Sequence, residues 1–119
     1  MKRITYAILS VALQALMGCS NNVALLPEAQ KVTVTQSHAA IKHCKNLGKL
    51  MASDVNGVSQ AYQSHEHLYQ DELNILKNQT AQLGGNTLVI ISDKATYAGN
   101  PQTHLVDTHR LEGIAYQCR

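Results

Sequence analysis

The strongest constraint on the fold is a junction in the second half of the chain, where a helical pattern stops on two glycines and an apolar run follows at once. Over residues 64–83, Tyr69, Leu73, Leu76, Thr80 and Leu83 recur at helical spacing, with Leu68 and Ile75 widening the stripe. Asp71, Glu72, Asn74, Lys77, Asn78, Gln79 and Gln82 are the polar companions on the other side. Ser64 is a suitable N-cap and Glu66 suits the positive end of the helix dipole. Gly84-Gly85 stops the helix, because glycine accepts the left-handed backbone found at helix C-termini. Thr87-Leu88-Val89-Ile90-Ile91 then reads as a strand buried on both faces or lying centrally under a helix. A helix with one apolar stripe has to bury it, and this strand is the middle of the expected core.

Two further strands and an edge complete the sheet. Lys31-Val32-Thr33-Val34-Thr35 alternates with β-branched residues and reads as an edge strand. Residues 36–43 read as a loop. Residues 46–53 read as a strand of uncertain register, closed by the turn signal Asn56-Gly57, and residues 58–64 run over the surface. Residues 92–108, with Gly99-Asn100-Pro101 and many polar side chains, read as a long excursion between strands. The last strand covers residues 110–118, with Ile114, Tyr116 and Cys118 on one side. The expected architecture is a small α+β domain: a mixed sheet of three or four strands with one long helix packed on one face. In it the last strand lies between the second strand and the Leu88 strand, antiparallel to both, and the helix connects those two.

The N-terminus constrains location instead of fold. Met1-Lys2-Arg3 is basic and residues 6–16 are apolar apart from Ser10 and Gln14, the pattern of a secretory signal peptide. The run falls short of the roughly 20 residues that span a bilayer. Leu16-Met17-Gly18-Cys19 resembles the lipobox of bacterial lipoproteins, a resemblance that implies thiol acylation of Cys19, with fatty chains of the palmitate kind, cleavage before it and acylation of the freed amine. Several acyl chains hold a protein to a membrane where one does so only marginally. Ser20, standing where an Asp would retain the protein at the inner membrane in that family's sorting rule, implies the outer membrane with the domain facing the periplasm. The expected organisation is therefore a signal peptide over 1–18, a lipidated N-terminus and tether over 19–30, and a single periplasmic domain over 31–119. Residues 23–26 either continue the tether or dock on the domain.

Without residues 1–18, 101 of the 119 residues remain, enough for one small core. The net charge of +2 comes from Lys2 and Arg3, so the rest of the chain is formally neutral and no electrostatic case for nucleic acid survives. With no Phe or Trp, the core has to come from Leu, Ile, Val, Ala and Met. A core this thin gains from a covalent staple. With Cys19 lipidated, Cys44 and Cys118 remain to form a disulfide in the oxidising periplasm, the alternative being two free thiols.

Three segments read together, Cys44-Lys45-Asn46-Leu47-Gly48, Ala81-Gln82-Leu83-Gly84-Gly85-Asn86-Thr87-Leu88-Val89 and Gly113-Ile114-Ala115-Tyr116-Gln117-Cys118, and with the lipobox they resemble small bacterial lipoproteins of the YjeI type. The domain of that family has no assigned function. A more distant resemblance is to RcsF-like outer-membrane lipoproteins that sense envelope stress. The chain departs from these in having one cysteine pair where they have two disulfides, and in lacking their long proline-rich tether.

No motif carries catalysis: there is no Gly-x-Ser-x-Gly elbow, no phosphate loop and no Cys-x-x-Cys, so the chain reads as a non-enzyme with no cofactor. Six histidines, His38, His43, His65, His67, His104 and His109, raise a metal hypothesis. His65 and His67 are two apart on a helix and point to different faces, and His104 and His109 fall in the expected loop. Scattered surface histidines rank above a metal site, for which His65, His67, His104 and His109 are the candidates. Two functional expectations follow. The first is a membrane-tethered interaction module that binds another envelope protein, with stress sensing as its context. The alternative is a periplasmic lipoprotein that binds a metal or a small ligand.

Overall fold

The computed structural model describes residues 23–57, 62–99 and 105–119. Strand β1 (Thr33–Thr35) is followed by β2 (Lys45–Val55), the long helix α1 (His65–Gln82), β3 (Thr87–Tyr97) and β4 (Val106–Gln117), with short 3-10 turns at Pro27–Lys31 and His38–Ile41. The sheet order is β1-β3-β4-β2. β4 lies antiparallel to both β2 and β3, and β1 runs parallel to β3. This is the expected α+β architecture, with the last strand between the second and the Leu88 strand. None of the described helices is long and apolar enough to cross a membrane.

The helix forms where its signals place it. The Ser64 hydroxyl oxygen accepts from the His67 N–H at 3.1 Å, which satisfies one of the free amides of the first turn. At the other end Gly84 takes φ +83° and ends the helix. Gly85 has a different reason to be glycine, because a Cβ there would stand 2.9 Å from both Thr80 Cγ2 and the Tyr116 carbonyl oxygen. The helix approaches the sheet too closely at that point for any side chain. Asn86 then fastens the corner: its side chain accepts from the Cys118 N–H at 2.8 Å and donates to the Cys118 carbonyl, like one more residue of strand pairing.

Leu76, Leu88, Ile90 and Leu111 form the centre of the core with Ala52 and Val32, and Tyr69, Leu73 and Ile75 pack against it partly buried. Two details of the helix stripe differ from expectation. Leu83 is 48% exposed, lying off the inward row of the helix. Glu72 is fully buried, because the inward row is Leu68, Glu72, Leu76 and Thr80 at steps of four.

The stretch 92–108 is not a long excursion. β3 continues to Tyr97 and β4 starts at Val106, so most of it is the end of a hairpin with Lys94 opposite Arg110 and Thr96 opposite Thr108. Antiparallel pairing supplies backbone partners that the local polar composition does not reveal. A register shift between Ile90 and Ser92 turns Ile91 outward, 42% exposed, which ends the fully buried run at Ile90. A second irregularity between Asn46 and Gly48 sits in β2, where Gly48 takes φ +128°.

Residues 23–26 dock on the domain. Asn74 Nδ2 donates to the Val23 carbonyl, Asn78 Nδ2 donates to the Ala24 carbonyl, and Asn78 Oδ1 accepts from the Leu26 N–H at 2.8 Å. The polar companions Asn74 and Asn78 are therefore not a bare solvent face: they satisfy the backbone of an extended strap, and behind it Ala29 is fully buried. The Cys44 and Cys118 sulfurs lie at disulfide distance, with 4.3 Å between the Cα atoms, joining the start of β2 to the end of β4.

Candidate functional site

On β4 the helix-facing row runs Ala115, Gly113, Leu111, His109, and it changes from apolar to polar toward the start of the strand. The neighbours change with it. Ala52 of β2 stands opposite Leu111, and Asp54 opposite His109. From above, α1 contributes Leu76 and then Glu72 to the same gradient. The result is a polar chamber of packed side chains at one end of the core, beneath the first turn of the helix. Asn56 holds that end in place: its side chain donates to the Val106 carbonyl at 2.8 Å and to the Gln63 carbonyl at 2.9 Å, and accepts from the Gln63 N–H. This anchors the chain immediately before Ser64 and so fixes where His65 lies.

His109, fully buried, occupies the centre. Its Nδ1 is 2.6 Å from Glu72 Oε1 and its Nε2 is 2.7 Å from Asp93 Oδ1. The His65 ring stacks edge-on against it, with centroids 4.7 Å apart, and Tyr69 lies further out at 6.3 Å. His65 Nε2 is 3.8 Å from Asp93 Oδ1. His109 and Glu72 are inaccessible, whereas the side chains of His65 and Asp93 are 45% and 38% exposed, so the group has a closed base and an open rim.

The protons can be placed by satisfying each contact. Burial first, then the Asp54 carboxyl by hydrogen bonding and charge, with Asp93 and Asp71 adding repulsion, push the Glu72 carboxyl up to about 9. Glu72 Oε2 meets no donor; beside it is Asp54, itself an acceptor, so that contact becomes a hydrogen bond when Glu72 carries a proton. Glu72 Oε1 is then free to accept from the Nδ1–H of His109. The opposite nitrogen, Nε2, faces the Asp93 carboxylate at 2.7 Å, a contact that an Nε2–H or a bound cation satisfies. Tyr69 is also raised, by burial and by the charge of Asp93.

Of the expected site residues, His65 and His109 come together here. His109 corrects the reading of scattered surface histidines: it is on a strand and buried, because β4 begins four residues before Arg110. His67 points away, with Nε2 3.3 Å from Asp71 Oδ2. His38 and His43 are exposed, His43 being next to Cys44 at the far end of β2. Cys19, the leader and His104 lie outside the described residues. Glu72 and Asp93 went unrecognised in the sequence. Glu72 could have been found as the polar member of the Leu68, Leu76, Thr80 row; Asp93 had no local signal, because it lies on the part of β3 that only the hairpin creates.

The fold and the site define a class, a small α+β domain in which one helix closes a four-stranded sheet over a buried histidine and its carboxyl partners. Over residues 23–118 the chain matches the family described as Domain of unknown function (DUF4156), and it belongs to that family. The match begins at Val23, the first residue of the docked strap. No curated protein and no solved structure matches the chain.

Proposed function

We propose that this protein is a lipid-anchored domain of the bacterial envelope that binds a small ligand or ion at the His109 chamber. The basic, apolar leader and the lipobox-like Leu16-Met17-Gly18-Cys19 support the anchoring, and Ser20 supports the outer membrane and a periplasmic orientation. The observation that carries the binding role is the fully buried His109 held between Glu72 and Asp93, with exposed His65 beside it. Burying an imidazole and carboxyl groups in a core this small costs stability that an apolar core would keep. That expenditure has a purpose if the open rim receives something.

Metabolic labelling with an alkynyl fatty acid, followed by membrane fractionation, tests the anchor. The wild type takes the label and enters the outer-membrane fraction; Cys19→Ala does neither. A Cys19→Ala form that stays with the membrane overturns the anchoring. A thermal-shift panel of inorganic ions and small organic ligands tests the site, with the expected shift lost in His65→Ala.

A second reading, docking to another envelope protein, is favoured by Val55, Tyr62 and Tyr97, which are 62%, 52% and 43% exposed at the same end of the domain as the chamber. Stress sensing would be its context. Photo-crosslinking probes at Tyr62 and Tyr97 give a discrete adduct on this reading; probes at Asn74 or Asn78 would report the strap instead.

A further inference from the structure

The unresolved contact in the chamber is the one between His109 Nε2 and Asp93 Oδ1, 2.7 Å apart. In the tautomer that carries its proton on Nδ1 and donates to Glu72, the Nε2 lone pair points at a carboxylate oxygen. A proton on Nε2, in the other tautomer or in the imidazolium, satisfies that separation, and so does a metal ion held between the nitrogen and the carboxylate. His65 brings a third donor to the same point: one ligand atom from each of His65, Asp93 and His109 can be chosen so that all lie within 4.8 Å of one another.

We propose that His65, Asp93 and His109 bind a divalent transition-metal ion of the zinc class, with Glu72 as the carboxyl group that orients the His109 ring from behind. This rests on reading the chamber as a binding site and names its ligand. Two imidazoles and one carboxylate suit zinc, copper or nickel and leave a fourth position for water or for a group from outside. The geometry is within reach. Donor atoms around a tetrahedral zinc ion stand about 3.3 Å apart, given metal–ligand distances of about 2.0 Å. The Nε2 to Oδ1 pair of His109 and Asp93 has to open slightly from 2.7 Å, and the His65 to Asp93 pair has to close slightly from 3.8 Å. His65 and Asp93 are the exposed members and free to make those adjustments; His109 is the fixed one.

Glu72 completes a recurrent arrangement, in which the nitrogen not bound to metal donates to a carboxyl group that fixes the tautomer and ring orientation. The ion replaces the proton between Nε2 and Asp93: one proton leaves the ring, the Nε2 lone pair coordinates, and Nδ1–H stays on Glu72. Affinity therefore falls as pH falls. Asp54 on β2, Asp71 on α1 and Asp93 on β3 make the surroundings of Glu72 negative, and a divalent cation offsets that field. His67 plays no part, because it faces Asp71.

Calorimetric titration of the purified full chain in detergent with zinc chloride, repeated with copper and nickel salts, decides the matter. One ion per chain is expected, with binding lost in His65→Ala and in Asp93→Asn and unchanged in His67→Ala. Glu72→Leu should weaken the ion by roughly 10- to 100-fold, whereas Glu72→Gln, whose amide oxygen can still accept from Nδ1–H, should keep it. Far-ultraviolet circular dichroism confirms that each variant is folded. No binding of any of the three ions, or binding that survives both His65→Ala and Asp93→Asn, overturns the metal assignment. An organic ligand whose thermal shift depends on His65 and His109 while metals have no effect would overturn the metal and leave the binding site standing. Failure of every ligand, metal or organic, to depend on these residues overturns both.

Discussion

The two ends of the sheet are built on opposite terms. At the end where β2 starts and β4 finishes, everything closes: the cysteine pair joins the two strands, Asn86 pairs with the Cys118 backbone, and helix and sheet approach until Gly85 has no room for a Cβ. At the other end the same strands carry Asp54, Asp93 and His109 beneath Glu72, and the rim is open. The disulfide end concentrates stability and the histidine end spends it. In a domain without Phe or Trp the first is what makes the second affordable.

The largest expected effect is at the closed end. Removing the Cys44–Cys118 link, 74 residues apart in sequence, should lower the unfolding free energy by up to about 4 kcal/mol, measured by urea denaturation with and without reductant. Next is Gly85→Ala, whose new methyl group meets Thr80 Cγ2 and the Tyr116 carbonyl. Overpacking of that kind costs about 1–3 kcal/mol and should appear as a lower denaturation midpoint. At the open end, Ser64→Ala removes the cap from the turn that carries His65 and should cost about 1 kcal/mol.

A pH dependence is the most diagnostic of the contrast. The folded Glu72 carboxyl is raised to about 9 from an ordinary 4.5, so between these values the folded state holds a proton that the unfolded chain has released. Its contribution is fully present below about pH 4.5 and is lost as pH rises toward 9. Glu72→Gln, a stand-in for the protonated acid, should match the wild type below about pH 4.5 and exceed it increasingly as pH rises toward 9. Parallel unfolding curves across that range would show that Glu72 is ionised in the fold and that the proton placement is wrong.

Much of the closed end was legible in the sequence and little of the open one. Ser64, Gly84-Gly85 and the run from Thr87 carry their meaning locally, in capping, backbone freedom and continuous apolarity. Cys44 and Cys118 follow from counting. His109 and Asp93 do not, because their burial and proximity depend on a hairpin of polar residues, Lys94, Thr96, Thr108 and Arg110, whose strand character comes from pairing and not from composition. Glu72 looked like a surface acid because the apolar stripe was centred on Tyr69 and Leu73, one residue off the row that faces the sheet. Asn74 and Asn78 looked solvated for a related reason: their partner is a strap about fifty residues away in sequence.

The most direct test of the contrast is to replace the buried pair with apolar side chains and weigh the fold. Urea unfolding of the double variant Glu72→Met/His109→Leu, at pH 7 and without added metal, should give a stability equal to the wild type or higher by about 1–4 kcal/mol, because well-packed apolar groups replace buried polar ones. A double variant less stable than wild type by several kcal/mol would mean that the Glu72–His109 pair holds the fold together, and the open end would then be structure and not a site.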